Sequence, residues 1–281
     1  MRCDSHVHIV GPVGRYPQVP ERTYLAAPAP IETLKRIAAT RGITRFVIVQ
    51  PSFYGADNSA TLDALDALGG QGRGVAVVDP RTAQPETLAD FHRRGVRGLR
   101  VNLYSPIKAP GGDTLEAAFA ATAEAARMMG WHVQVIAPLP VLLANADTLA
   151  KAPVPVVIDH YGLYGDKRPD SAEGRRLLDL VALPHVWMKL SAPYRHDRGP
   201  LNTRPDREWL AALIAAAPNR GVWGSDWPHP PSHEQQKGAS LEAPYRVLSY
   251  ETLVDDFLAA LPSDDLAERI MCDNAVRLYG F

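Results

Sequence analysis

The chain has 281 residues, 46% of them hydrophobic and 22% charged, the balance of a globular protein with a substantial core. Its 30 lysines and arginines meet 31 acidic residues, a formal charge of -1, so no general basic field invites nucleic acid and any anion binding must be local. No run approaches the roughly 18 apolar residues of a membrane span, and the amino terminus lacks the apolar stretch of a secretory leader, so the expected setting is the cytoplasm, without membrane or nucleic-acid partners.

Taken in chain order, short β-rich runs at 2–9, 43–50, 74–79, 96–103, 131–137, 154–160, 186–191 and 221–226 alternate with segments of helical period at 31–40, 58–68, 86–93, 114–129, 141–150, 172–181 and 206–217. Two more helices follow at 252–261 and 266–279. Most of the strands are apolar along their length, as in Phe46-Val47-Ile48-Val49 and Pro155-Val156-Val157-Ile158, which suits parallel strands buried on both faces. Eight strand–helix units in under 300 residues predict an α/β fold, a single (β/α)₈ TIM-type barrel spanning 1–281, with a doubly wound open sheet as the competing arrangement. Long loops follow the first and eighth strands, at 11–30, which holds five prolines, and at 227–247. Both lie at strand carboxyl ends, where barrel enzymes build their sites. Two cysteines, Cys3 and Cys272, provide neither a disulfide framework nor a cysteine zinc site.

An apolar strand gains nothing structurally by ending on a histidine or a carboxylate, yet these strands do so repeatedly. His6 and His8 close the first, Gln50 the second, Asp79 the third, Arg100 and Asn102 the fourth, His160 the sixth, Lys189 and Ser191 the seventh and Asp226 the eighth. Asp79 and Lys189 read as a loop cap and a satisfied core group. His6 and His8 share one face of their strand because alternate side chains do. With His160 and Asp226 they converge over one barrel mouth. Such a group has two chemical uses: a zinc site with an open position for water, or a metal-free site in which Asp226 takes a proton from water while the imidazoles stabilise an oxyanion. Arg100 and Arg195 offer guanidinium forks at the same mouth, which implies a carboxylate-bearing substrate; surface ion pairs are the plain alternative.

The motifs Asp4-Ser5-His6-Val7-His8, Val157-Ile158-Asp159-His160 and Trp223-Gly224-Ser225-Asp226-Trp227-Pro228-His229-Pro230 together resemble the amidohydrolase superfamily, and within it the lactonase branch typified by 2-pyrone-4,6-dicarboxylate hydrolase. The resemblance runs the length of the chain through Val49-Gln50-Pro51-Ser52, Gly55-Ala56-Asp57-Asn58, Arg97-Gly98-Leu99-Arg100 and Asn274-Ala275-Val276-Arg277-Leu278-Tyr279. It implies a TIM-type barrel in which Asp226 activates the hydrolytic water, His6, His8 and His160 polarise the scissile carbonyl, and Arg100, Arg195 and Ser52 hold substrate carboxylates. It also implies that no metal cofactor is needed, one zinc ion on His6, His8, His160 and Asp226 being the alternative. Ile136 and Pro138 stand where the pyrone enzyme has a tyrosine and an acidic residue, so the pocket departs from that enzyme there.

The expected activity is therefore hydrolysis of a small carboxylated lactone of the pyrone-dicarboxylate, sugar-acid or muconolactone type, with Gln50 and Tyr194 as further substrate contacts. A zinc-dependent decarboxylase or amidohydrolase is the rival within enzymes, and a non-catalytic binder of acidic metabolites the rival outside them. His229 stays open between a support for Asp226 and a loop cap.

Overall fold

The computed structural model describes residues 1–105, 107, 114–196, 203–232 and 240–281. Its strands are β1 (Arg2–Val7), β2 (Leu25–Ala26), β3 (Ile43–Val49), β4 (Gly72–Ala76), β5 (Val96–Asn102), β6 (His132–Ile136), β7 (Val156–Ile158), β8 (Val186–Ser191), β9 (Gly221–Gly224) and β10 (Glu242–Ala243). All except β2 and β10 form one parallel sheet in the order β1-β3-β4-β5-β6-β7-β8-β9. The helices are α1 (Ile31–Ala39), α2 (Ser59–Leu68), α3 (Pro85–Arg93), α4 (Leu115–Met129), α5 (Leu139–Ala144), α6 (Ala146–Ala150), α7 (Ala172–Ala182), α8 (Arg207–Ala216), α9 (Tyr250–Ala260), α10 (Asp264–Glu268) and α11 (Asn274–Tyr279). Strands and helices make the expected (β/α)₈ barrel, and among the described residues no helix is long and apolar enough to cross a membrane.

The helices form where apolar residues recur three and four apart. Helix α1 buries Ile31, Leu34 and Ala38, and α7 buries Leu177, Leu180 and Val181. Capping residues start several of them: Thr114, Ser171, Asp206 and Ser249 each accept a backbone N–H from the first turn of α4, α7, α8 and α9. The helix expected over 141–150 is instead two short ones. Asn145 separates them, and its side-chain amide donates to the Val141 carbonyl at 2.8 Å, occupying the acceptor that a continuing helix would use.

The barrel closes through the residues that follow β9. Asp226 N donates to the His6 carbonyl at 2.9 Å and His8 N to the Trp227 carbonyl at 2.8 Å, and Val7 bridges Trp227 in parallel. Beneath this seam the buried Asp4 carboxylate accepts from Ser225 N at 2.9 Å, His6 N at 3.2 Å and the Tyr250 hydroxyl at 2.9 Å. Burial is the main cause raising its pKa to about 6.

The two long loops cover the mouth together. Strand β2, in the loop after β1, pairs in parallel with β10, in the loop after β9, and Tyr245 donates its hydroxyl to the Ala27 carbonyl. The second loop was expected over 227–247, and its residues 233–239 lie outside the described residues.

Gly224 marks how tightly the seam is drawn: a Cβ there would lie 2.6 Å from His6 Cβ and 2.8 Å from His6 N. Gly224→Ala should therefore lower stability by roughly 1–3 kcal/mol in urea unfolding and shift His6. Wild-type stability in that variant would show that the seam yields more than its packing implies.

Candidate active site

Four residues gather at the carboxyl end of the barrel. His6 lies in β1 and His8 just after it, while His160 and Asp226 each lie two residues beyond the ends of β7 and β9. His160 and Asp226 adopt left-handed backbone, φ 50° and 59°, as does His229 at 67°. Such conformations cost a non-glycine residue on the order of 1–3 kcal/mol and persist where packing over-determines them. Here they turn the side chains out of the strand direction and in over the barrel axis.

Asp226 is fully buried and its two oxygens have different surroundings. Oδ1 faces imidazole nitrogens: His8 Nε2 at 3.4 Å, His6 Nε2 at 3.6 Å and His160 Nε2 at 3.9 Å. Oδ2 accepts from Arg195 Nε at 2.9 Å, Arg195 Nη2 at 2.7 Å and the Tyr194 hydroxyl at 2.9 Å. Burial by itself would raise the carboxyl pKa, but the Arg195 guanidinium and the three imidazoles together outweigh it, and Asp226 is held well below the ordinary range. Burial also pushes the imidazoles down, His160 to about 4 and His6 well below its usual value, so both are neutral at pH 7.

The far ring nitrogens are tied down. His8 Nδ1 lies 2.7 Å from the Val49 carbonyl and His160 Nδ1 2.8 Å from Ser191 Oγ. A carbonyl only accepts, so His8 carries its hydrogen on Nδ1 and, when neutral, turns a lone pair on Nε2 toward Asp226. His6 Nδ1 faces Asp159 Oδ1 at 3.4 Å and Lys189 Nζ at 3.5 Å. Lys189 donates to Gln134 Oε1 at 2.6 Å, and Gln134 Nε2 donates to Asp159 Oδ2 at 3.0 Å. All of these groups are buried. Burial lowers the Lys189 pKa to about 8, which leaves it protonated at pH 7, and burial acting on Asp159 is outweighed by its contacts with His6 and Lys189, which keep it ionised.

A cavity opens above the cluster, lined by His8, His160, Asp226, Arg100, Arg195 and Ser52 together with Tyr24, Tyr104, Ile136 and Tyr245. Arg100 donates through Nη1 to the Gln50 carbonyl at 2.9 Å and lies 3.6 Å from Asp159 through Nη2, while its buried Nε has no partner. The Gln50 side chain is not brought to the cavity: its amide donates to the carbonyls of Asp57 at 2.7 Å and Gly55 at 3.2 Å and its oxygen accepts from Thr61 at 2.7 Å, which folds the loop that carries Ser52. Tyr194 reaches Asp226, and His229 Nδ1 lies 3.4 Å from the Tyr194 hydroxyl, so His229 braces the tyrosine. The supporting pair Asp159 and Gln134 and the tyrosines of the cavity wall were not singled out from sequence. Asp159, next to His160 in an apolar strand, carried the one signal that was available. Asp79 caps a turn, bonded to Arg81 at 2.9 Å.

The amidohydrolase family model matches residues 3–281. The chain belongs to the amidohydrolase family. It is 30% identical over 293 residues to a 2-pyrone-4,6-dicarboxylate hydrolase of Comamonas testosteroni, covering 98% of this chain and 89% of that one. It is 29% identical over 278 residues to a 4-sulfomuconolactone hydrolase of Hydrogenophaga intermedia, covering 99% and 88%. A crystal structure of an amidohydrolase from Burkholderia multivorans with bound zinc has the same fold, with a TM-score of 0.70, 23% identity and coverage of 100% and 99%. These relatives put the chain in the lactonase branch of the superfamily and make it a hydrolase.

In this amidohydrolase the donor set suits a single divalent ion. His6 Nε2 and Asp226 Oδ1 are buried atoms without a hydrogen-bond partner, facing one another. His6, His8 and Asp226 present ligand atoms within 4.8 Å of one another. The Nδ1–H of His8 on a backbone carbonyl is the outer contact that a metal-binding histidine commonly makes.

Beneath the imidazoles, Lys189 and Asp159 depend on each other for charge compensation. Lys189→Met should cost roughly 3–5 kcal/mol of unfolding free energy, and adding Asp159→Asn should restore part of it because the stranded carboxylate is gone. Strictly additive losses in urea titrations of the two variants would disprove the coupling.

Proposed function

We propose that the protein opens a small carboxylate-bearing lactone by hydrolysis, with Asp226 as general base. One observation carries the reading: a buried ionised carboxylate, ringed by three imidazoles, borders a cavity that two arginines line. The names of the relatives, a pyrone dicarboxylate hydrolase and a sulfomuconolactone hydrolase, support a cyclic ester with an anionic substituent.

In this scheme the substrate carboxylate binds Arg100, whose Nε is unspent, and competes with Asp226 for Arg195. As Arg195 turns to the substrate, Asp226 loses its strongest cation and its basicity rises, so docking of substrate switches on the base. Asp226 then takes a proton from water as the water oxygen attacks the lactone carbonyl, and charge develops on the carbonyl oxygen. Collapse of the tetrahedral intermediate breaks the ring C–O bond, and the proton passes from Asp226 to the leaving oxygen, which yields an open-chain hydroxy acid or its tautomer. Ser52 and the tyrosines of the wall orient the ring.

A divalent metal ion on His6, His8, His160 and Asp226 is the second reading, favoured by the His8 tautomer: a lone pair directed at a carboxylate is poorly placed to donate to a carbonyl oxygen. Such an ion would supply Lewis-acid polarisation of the carbonyl. The residues of the chain keep their roles in binding and positioning under either reading.

A screen of carboxylated lactones, run with and without chelator and with metal analysis of the protein, tests both. Turnover that survives chelation supports the metal-free version; stoichiometric metal with chelator-sensitive turnover supports the second. Asp226→Asn should reduce kcat by about 10²–10⁴-fold, and a variant that retains normal kcat would remove Asp226 as the base.

The two arginines should separate in steady-state kinetics. Arg100→Met should raise KM for an acidic lactone about tenfold or more with a smaller change in kcat. Arg195→Met should raise KM and also move the acidic limb of the kcat/KM–pH profile upward, because Asp226 loses the cation that holds its carboxyl low. Identical effects of the two would contradict the exchange of Arg195 between Asp226 and substrate.

A further inference from the structure

The buried group beneath His6 has a direction as well as a charge. Lys189 lies in β8, Gln134 in β6 and Asp159 just after β7. An ammonium only donates, so the oxygen of the Gln134 amide is the end that meets Lys189 Nζ, at 2.6 Å. The amide nitrogen is thereby turned to Asp159 Oδ2, at 3.0 Å. Asp159 Oδ1 is the oxygen left over. It is buried without a hydrogen-bond partner and faces His6 Nδ1 at 3.4 Å, with Lys189 Nζ farther off at 4.0 Å.

A neutral His6 has one ring hydrogen and two carboxylates that could take it. On Nδ1 the hydrogen points at Asp159 Oδ1; on Nε2 it points at Asp226 Oδ1, 3.6 Å away. Lys189 Nζ, 3.5 Å from Nδ1, could donate to that nitrogen only in the second form, but its short bond to Gln134 is made in either. The surroundings of the two carboxylates decide. Asp226 lines the cavity, where water can donate to it, whereas Asp159 is no part of that wall among the described residues and its Oδ1 has no other donor. An ionised oxygen stranded in the interior costs more than one long contact forgone.

We propose that Lys189, Gln134 and Asp159 are positioning residues for the reaction, keeping the His6 hydrogen on Nδ1 so that Nε2 presents a lone pair beside Asp226 Oδ1. Those two atoms are then acceptors 3.6 Å apart, and one water can give a hydrogen to each. His6 thus orients the attacking water next to the base instead of polarising the lactone carbonyl, the role expected of it from the sequence. The water's place rests on the lactonase reading in its metal-free form. The tautomer does not, because a lone pair on Nε2 is equally what an ion would require.

Nitrogen-15 NMR of the whole protein, labelled in its imidazoles, reads the tautomer directly, and wild-type His6 should carry its hydrogen on Nδ1. In Asp159→Asn the introduced amide keeps its oxygen toward Gln134 Nε2 and turns an N–H to His6 Nδ1, so the ring hydrogen should move to Nε2. That variant should lose about a hundredfold or more in kcat, as a wrong tautomer does, with KM within about threefold. Loosening of the fold alone would not move the hydrogen. Adding Lys189→Met frees Gln134 to turn over, the introduced amide can then offer His6 its oxygen, and part of the Nδ1–H form and of kcat should return. A wild-type His6 with its hydrogen on Nε2, or an Asp159→Asn variant that keeps Nδ1–H or wild-type kcat, would overturn the proposal; a double variant no better than Asp159→Asn would remove Lys189 from it. The expected tautomers in a protein that opens no carboxylated lactone would sink the lactonase reading and leave the positioning of His6 standing.

Discussion

The site depends on a short parallel seam at which the last barrel strand meets the first. The bonds from Asp226 N to the His6 carbonyl and from His8 N to the Trp227 carbonyl close the barrel and also set the spacing of three functional side chains. Closure and assembly of the site are one event. Asp4 sits under the seam, and Gly224 has no Cβ where His6 packs against it, so the motif residues around His6 and Asp226 serve the approach of two backbones as much as the chemistry.

Above that seam, charge is arranged in layers. Lys189, Gln134 and Asp159 form the lower layer and hold the Nδ1 side of His6; the imidazoles form the next; Asp226 with Arg195 and Tyr194 forms the upper one. Buried charges are tolerated because each has an opposite charge or a directed hydrogen bond close by. In the upper layer the compensation is provisional. On the proposed mechanism Arg195 serves Asp226 until a substrate carboxylate competes for it, so ground-state stability and substrate recognition would draw on the same guanidinium.

Much of this was legible beforehand. Continuous apolar strands alternating with amphipathic helices specify a parallel sheet covered on both faces, and eight such units in under 300 residues favour its closure into a barrel. Polar residues at the ends of those strands then mark the carboxyl face, and His6, His8, His160 and Asp226 meet there as that pattern implies. Gln50 shows where the pattern stops informing: a strand-end amide can face the cavity or fold the next loop, and only the positions of Gly55, Asp57 and Thr61 decide for the loop. The single helix expected over 141–150 failed for a comparable reason, since periodicity does not reveal which carbonyl an asparagine side chain will take.

By itself the sequence determined the fold class, the end of the barrel that bears the site and the four residues at its centre, because strand periodicity and strand ends are local properties. The tertiary structure decided which nitrogen of His8 carries the hydrogen, that Arg195 rests on Asp226, and that Lys189 supports His6 through Asp159. Each of those facts joins residues far apart in the chain, and their separation is set by the register and closure of the whole barrel, which no local pattern encodes.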